Sequence, residues 1–437
     1  MNKSTLALAV AVGVVAQQAG AAGFIEDSKA TLGLRNFYIN TDNRDNNTKA
    51  AGAQNKQEEW GQGFDLRFTS GYTQGTVGFG LDAIGLVGVK LDSGGGTNGA
   101  TATSYGGTVF PSKSNGEAVD NFSSLGLTAK AKISQTELKL GTLQPKLPVI
   151  VTNDGRLLPQ TFQGGQITTN EIKDLTLVGG QIEHAKGRNS SNNEELSIAG
   201  ANSPTASGRD SNKFIYGGGD YKITKDLTAQ YYYGNLDNFY KQHFLGLVHS
   251  WAIGPGVLKS DLRYFNSRDD GANGNDPAYY TTGDYGTGIT KGKVDNNLYS
   301  GLFLYTVSGH TFGGGYQVSN GDSDFPWLNQ GDGSSAYLTT DMQIAKFARA
   351  GERTWQARYS YDFAQIGAPG LTAGMVYLRG DNIDTVTKGG AVAGSGRSEW
   401  ERDLTVAYVI PEGPLKNLGL TWKNAMWRND IPGQRDQ

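Results

Sequence analysis

The sequence predicts an all-β protein, a transmembrane antiparallel β-barrel. Three observations carry that reading. Segments of about ten residues alternate between apolar and polar positions, the period of a strand with one wet face. The connections are of two kinds that take turns, tight ones with Gly or Pro and long polar ones. Beyond the N-terminus no stretch is long and apolar enough for a membrane-spanning helix.

The chain opens "MNKSTLALAVAVGVVAQQAGA". Lys3 is followed by an apolar run from Leu6 to Ala16 and then by Ala19-Gly20-Ala21. A basic start, an apolar run too short to span a bilayer and a small-residue cleavage site mark an export leader. Residues 1–21 are expected to be removed, with cleavage after Ala21 or Ala22, so that residues 22–437 form the mature protein.

The alternation is clearest in "RTWQARYSYDF", Arg353 to Phe363. Trp355, Ala357, Tyr359, Tyr361 and Phe363 share one face; Thr354, Gln356, Arg358, Ser360 and Asp362 share the other. The first face is too apolar for water and the second too polar for a packed core. "GMVYLRG" (374–380) and "LGLTWKNAMW" (418–427) follow the same rhythm less strictly. Tight connections fall at 223–228, 252–259, 367–372 and 411–419. Long ones are expected at 93–120, 185–213, 266–293, 319–341 and 381–399. Long and short connections sort to opposite ends of a barrel that spans a bilayer. Lipid cannot satisfy an open sheet edge, so such a sheet must close. No composition break divides residues 22–437, which read as one barrel.

Composition narrows the function. A net charge of −3 in 437 residues speaks against a nucleic-acid partner. There is no cysteine, and His184, His243, His249 and His310 have no metal-ligand spacing, so no cofactor or metal is expected. An outer-membrane hydrolase would need a nucleophile and a base on one wall. No G-x-S-x-G is present, and the adjacent His249 and Ser250 point to opposite faces of a strand. A glycan-binding sandwich or propeller would share the Gly and Tyr richness, but no repeat of blade length is evident.

One stretch breaks the rhythm. "NDGRLLPQTFQGG" (153–165) fits neither a strand nor a tight turn. It lies between the strand-like segments 129–145 and 170–183. Together with "AGFIEDSKATLGLRNFY" (22–38), "WGQGFDLRFTSGYTQGTVGFGLDA" (60–83), "FYKQHFLGL" (239–247) and "ERTWQARYSYDF" (352–363), its "RLLPQTFQG" (156–164) resembles the OprD-type substrate-specific outer-membrane channels, in order along nearly the whole mature chain. The resemblance implies an eighteen-stranded barrel set in outer-membrane lipid, a monomer that passes small carboxylate-bearing, anionic or zwitterionic solutes without catalysis. It also implies that 153–165 is a third external loop folded into the lumen. Leu157, Leu158 and Phe162 suit a wall anchor; Pro145, Pro148 and Pro159 stiffen the excursion; Gly155, Gly164 and Gly165 permit tight bends. Arg156 would then face the pore.

A carboxylate needs fixed donors, and Arg offers a planar fork. The family carries a basic track down one wall. Arg156 and Arg358 match it, Lys423 stands where a family arginine is expected, and Thr421 leaves another such place uncharged. Arg379 and Arg402 are further candidates, although simple alternation sets Arg402 beside Leu404 and Val406, so a bulge or rim position is needed to wet it. In the seventh loop region (322–352), Lys346 stands where relatives that favour basic amino acids carry an acid. An anionic, cyclic or aromatic carboxylate is therefore favoured over a basic amino acid, a small peptide or unselective diffusion. Asp295 is the acid that would serve a basic solute, and Trp327 is a candidate aromatic wall. The end, "NAMWRNDIPGQRDQ", lacks the usual final strand, so about seventeen strands are expected.

Overall fold

A computed structural model of the chain describes residues 23–44, 56–93, 108–198, 210–271, 293–329, 335–386, 392–431, 434 and 436–437. The expected leader, residues 1–21, lies outside the described residues, as does 94–107 of the long connection expected at 93–120. The strands in order are β1 (Lys29–Asp42), β2 (Lys56–Thr69), β3 (Gly78–Asp92), β4 (Asn121–Ile133), β5 (Thr136–Leu143), β6 (Lys146–Leu147), β7 (Ile150–Val151), β8 (Thr161–Ile172), β9 (Leu175–Lys186), β10 (Ser197–Ile198), β11 (Phe214–Lys222), β12 (Leu227–Leu236), β13 (Tyr240–Ile253), β14 (Gly256–Asp269), β15 (Asp295–Val307), β16 (His310–Asn320), β17 (Leu328–Asn329), β18 (Arg353–Asp362), β19 (Leu371–Val386), β20 (Val392–Val409) and β21 (Gly419–Asn429).

Seventeen of these form one antiparallel sheet in which each strand pairs with the next along the chain. The two-residue strands are the exception: β6 and β7 make a small hairpin within the β5–β8 connection, and β10 pairs with β17 across two loops. The expectation of an all-β sheet of about seventeen strands agrees with this. The last two residues hydrogen-bond on both sides. Gln437 exchanges backbone bonds with Trp427 of β21, and the Arg44 amide, just after β1, donates to the Asp436 carbonyl.

The connections sort as expected. At one end they are short, as at 134–135, 173–174, 254–255 and 308–309; at the other lie 93–120, 144–160, 187–213, 270–294 and 321–352. The segment 381–399, expected as a loop, is a correction. Most of it extends β19 and β20 as a paired ribbon with register shifts after Gly380, leaving only 387–391 between them. Its polar residues suggested a loop because a ribbon standing above the bilayer needs no apolar face.

Along each strand one face presents large apolar side chains outward, among them Leu32, Leu34, Trp355, Tyr359, Leu420 and Trp422. The other face receives the loops. The partition of β18 follows the sequence reading: Thr354 and Gln356 are buried inward, and Trp355 and Tyr359 are exposed.

Buried carboxylates fasten the loops to that inner face. Glu59 of β2 accepts the amides of Thr108, Val109 and Phe110 at 2.8, 3.1 and 3.1 Å. Glu401 of β20 does the same for Gln343, Ile344 and Ala345, at 3.2, 3.1 and 2.7 Å. Gln317 of β16 donates to the Phe347 carbonyl at 2.6 Å, and within the same loop Asp324 accepts the Ala350 amide at 2.7 Å. A charge taken from water is costly unless donors converge on it. Successive loop amides supply those donors and lose their own desolvation cost in return. Loop also meets loop: Val151 bridges Ser335, and Val149, Ile150, Phe325, Trp327 and Leu338 share one apolar core with Phe162 of β8.

Glu401→Ala should release the 343–345 amides at a local cost of about 3–5 kcal/mol. Limited proteolysis should then cut within 335–352 while the heat-modifiable barrel band persists.

Candidate functional site: a constriction built by inward loops

The third long connection, 144–160, turns inward. The Gln160 amide donates to the Asn153 carbonyl at 2.8 Å, closing the tip, and Arg188 Nη1 reaches Asn153 Oδ1 at 3.0 Å. Leu157 and Leu158, each 2% exposed, pack with Leu86, Phe110 and Phe122. Their seat is made by glycine. A Cβ at Gly61 of β2 would lie 2.8 Å from Leu157 Cδ2 and 2.5 Å from Phe110 Cζ, and one at Gly63 would lie 3.0 Å from the Leu157 carbonyl oxygen. The wall is bare where the loop docks. Leu157 and Leu158 thus anchor it as expected, whereas Phe162 already belongs to β8 and to the larger core cluster. Gly164 likewise serves strand pairing rather than a loop bend: it sits at a register shift against β9, where a Cβ would meet the Gln181 carbonyl at 2.1 Å.

Arg35 of β1 holds the tip from the other side. Its Nη1 donates to Asp154 Oδ1 at 2.7 Å and to the Arg156 carbonyl at 2.5 Å, and Nη2 donates to Asp154 Oδ2 at 3.2 Å. Arg156 itself is half-buried on this inward loop, with Nη1 donating to the Gly155 carbonyl at 3.1 Å.

Arg358 lies on the inner face of β18. Its Nε donates to Gln356 Oε1 at 2.7 Å, and Nη2 donates to the Thr339 carbonyl of the 321–352 loop. Gly313 across the pair leaves room for it, since a Cβ there would stand 2.9 Å from Arg358 Cβ. Sequence reasoning missed its companion, Arg263 on the inner face of β14. Arg263 is forked by Asp261 at 2.7 and 2.8 Å, donates to the Tyr337 carbonyl at 3.0 Å and lies over the Tyr337 ring at 4.0 Å. Two wall arginines therefore grip two carbonyls, residues 337 and 339, of one loop. The signal was present in "LKSDLRYF", where Asp261 and Arg263 share a period-2 face opposite Leu262 and Tyr264. Lys423 is exposed on the inner face of β21, beside Thr421 and within electrostatic reach of Asp403.

The other expected pore residues sit elsewhere. Arg379 and Arg402 are on the outer face, because β19 and β20 pair there without a bulge: Arg379 stands between Trp355 and Trp400, and Arg402 opposite Tyr377. Asp295 shares the outer face with Tyr299 at the end of β15 and pairs with Arg268 at 3.1 Å. Trp327 is 5% exposed and packs among loops rather than forming a pore wall. The Lys346 ammonium is turned into the same loop, 5.1 Å from the Trp327 ring centre and 3.9 Å from Asp341.

A seventeen-stranded antiparallel sheet, apolar outside and narrowed inside by loops clamped to charged wall residues, defines an outer-membrane channel for small solutes. The chain belongs to the OprD family of outer membrane porins, whose pattern it matches over residues 22–437. It is 63% identical to OccK8 (OprE) of Pseudomonas aeruginosa, whose crystal structure superposes with a TM-score of 0.83 over 95% of this chain and 96% of that one. It is 36% identical over 414 residues to the porin-like protein GalP of Pseudomonas putida, covering 94% of this chain and 90% of GalP. The structure of Pseudomonas aeruginosa OpdK with vanillate is 36% identical, with a TM-score of 0.79 over 95% of this chain and 97% of that one. The protein is therefore a channel of the Gram-negative outer membrane and not an enzyme.

Leu157→Ala should cost about 3 kcal/mol of loop docking. Single-channel recordings should show a larger, noisier conductance, with the barrel still heat-modifiable.

Proposed function

We propose that this channel passes small carboxylate-bearing solutes, drawn through the constriction by basic side chains on its inner face. The observation that carries the reading is the setting of Arg358 and Arg263. Both are half-buried on the inner wall, and both are held by loop carbonyls that leave the guanidinium charge in place. Arg156 on the inward loop and Lys423 lower on the wall extend the same sign of charge. Several weak sites in series attract an anion without trapping it. Vanillate, bound in the OpdK structure, is an aromatic carboxylate, and an anion of that class suits these donors. A basic amino acid is less well served. Asp295 faces away from the lumen, and Asp261 is committed to Arg263. The channel acts as a single chain after loss of its leader.

The Arg156→Gln/Arg358→Gln double variant should lower benzoate or vanillate flux about tenfold. Reversal potentials in planar bilayers should lose their anion preference. An unchanged preference in a folded double variant would refute this reading.

A further inference from the structure

Arg379 and Arg402, which the pore does not use, are part of a pattern on the lipid side. Trp355, Arg379, Trp400 and Arg428 are successive register partners across β18, β19, β20 and β21, so they form one row on the outer face. Tyr377 and Arg402 pair in the next row, two residues nearer the short-turn end. The rings pack together: Trp355 to Tyr377 is 5.3 Å between centres, and Tyr377 to Trp400 is 5.9 Å. Trp and Tyr gather at headgroup depth, and this row lies toward the long-loop end, so it marks the outer leaflet. Arg353 stands on the same face above Trp355.

The charges on this strip are unbalanced. Arg353, Arg379, Arg402 and Arg428 share it with Asp381, which pairs with Arg379 at 3.3 Å, and Asp436, which pairs with Arg428 at 3.4 Å. Arg402 has no carboxylate among the described residues. Its Nη2 donates to Asn424 Oδ1 at 2.8 Å, and its Nε is shielded from water without a hydrogen-bond partner. It stands about 6–7 Å nearer the bilayer centre than Trp400. A guanidinium on a lipid face at that depth is costly unless an anion meets it.

We propose that this tryptophan–arginine lattice is a docking site for a phosphorylated glycolipid of the outer leaflet. Arg379 and Arg402 would fork its phosphate, and Trp355, Tyr377 and Trp400 would pack against the sugar and upper acyl chains. Planar guanidinium groups suit phosphate oxygens. The site requires nothing of the pore and stands apart from the carboxylate reading.

The test uses the full chain purified in detergent, with bound lipopolysaccharide counted by native mass spectrometry. The Arg379→Gln/Arg402→Gln variant should hold lipopolysaccharide about tenfold more weakly. Enzymatically dephosphorylated lipopolysaccharide should bind the unaltered chain as weakly, a comparison that needs no variant to fold. Lys241→Gln, which removes an outward cation on β13, should leave binding unchanged. Equal retention by the double variant, equal binding of the dephosphorylated form, or equal displacement by phosphatidylglycerol would each overturn the proposal.

Discussion

Every backbone donor and acceptor in contact with lipid must be satisfied within the sheet. That constraint commits the chain to a meander in which each strand pairs with its sequence neighbours, so the wall itself carries little that is specific to one solute. What remains adjustable is the inner row of each strand and the loops, which leave the sheet and return to it. The function is assembled from those two free sets.

The inner wall is polar because it faces water, yet where loops descend it must be dry. The structure resolves that conflict by giving wall carboxylates consecutive loop amides to accept. Glu59 and Glu401 stand on different strands and hold different loops, yet each receives three successive N–H groups. A loop bound in this way is positioned by its backbone, which leaves its side chains free to set the opening. Apolar seats complete the attachment, as where Gly61 and Gly63 leave the wall bare for Leu157.

The same logic sorts the arginines. On an inner face, a guanidinium that also holds a loop carbonyl is both strut and charge, as Arg263 and Arg358 are. On the outer face there is no loop to hold, and a guanidinium must find rings, a nearby carboxylate or lipid headgroups. Arg379 and Arg402 are chemically identical to the inner arginines but face a different solvent.

Much was legible from period alone. The partition of Arg353 to Phe363, the end-sorting of loops and the inward position of Arg358 all follow from a two-residue repeat that one wet face and one apolar face enforce. The stretch 153–165 announced itself by breaking that repeat, and Leu157 and Leu158 do fasten it. Alternation also set Arg402 beside Leu404, and the regular β19–β20 register keeps it there. What the chain could not reveal is which loop meets which wall. Arg35 reaches Asp154 across more than a hundred residues, Glu401 finds amides that no local pattern marks, and Trp327 and Lys346 are buried by loops whose path depends on all the others. Periodicity is a local consequence of the backbone, so the sequence by itself determined the strands and their faces. The constriction is a set of long-range contacts among segments with no period, so only the tertiary structure decided it.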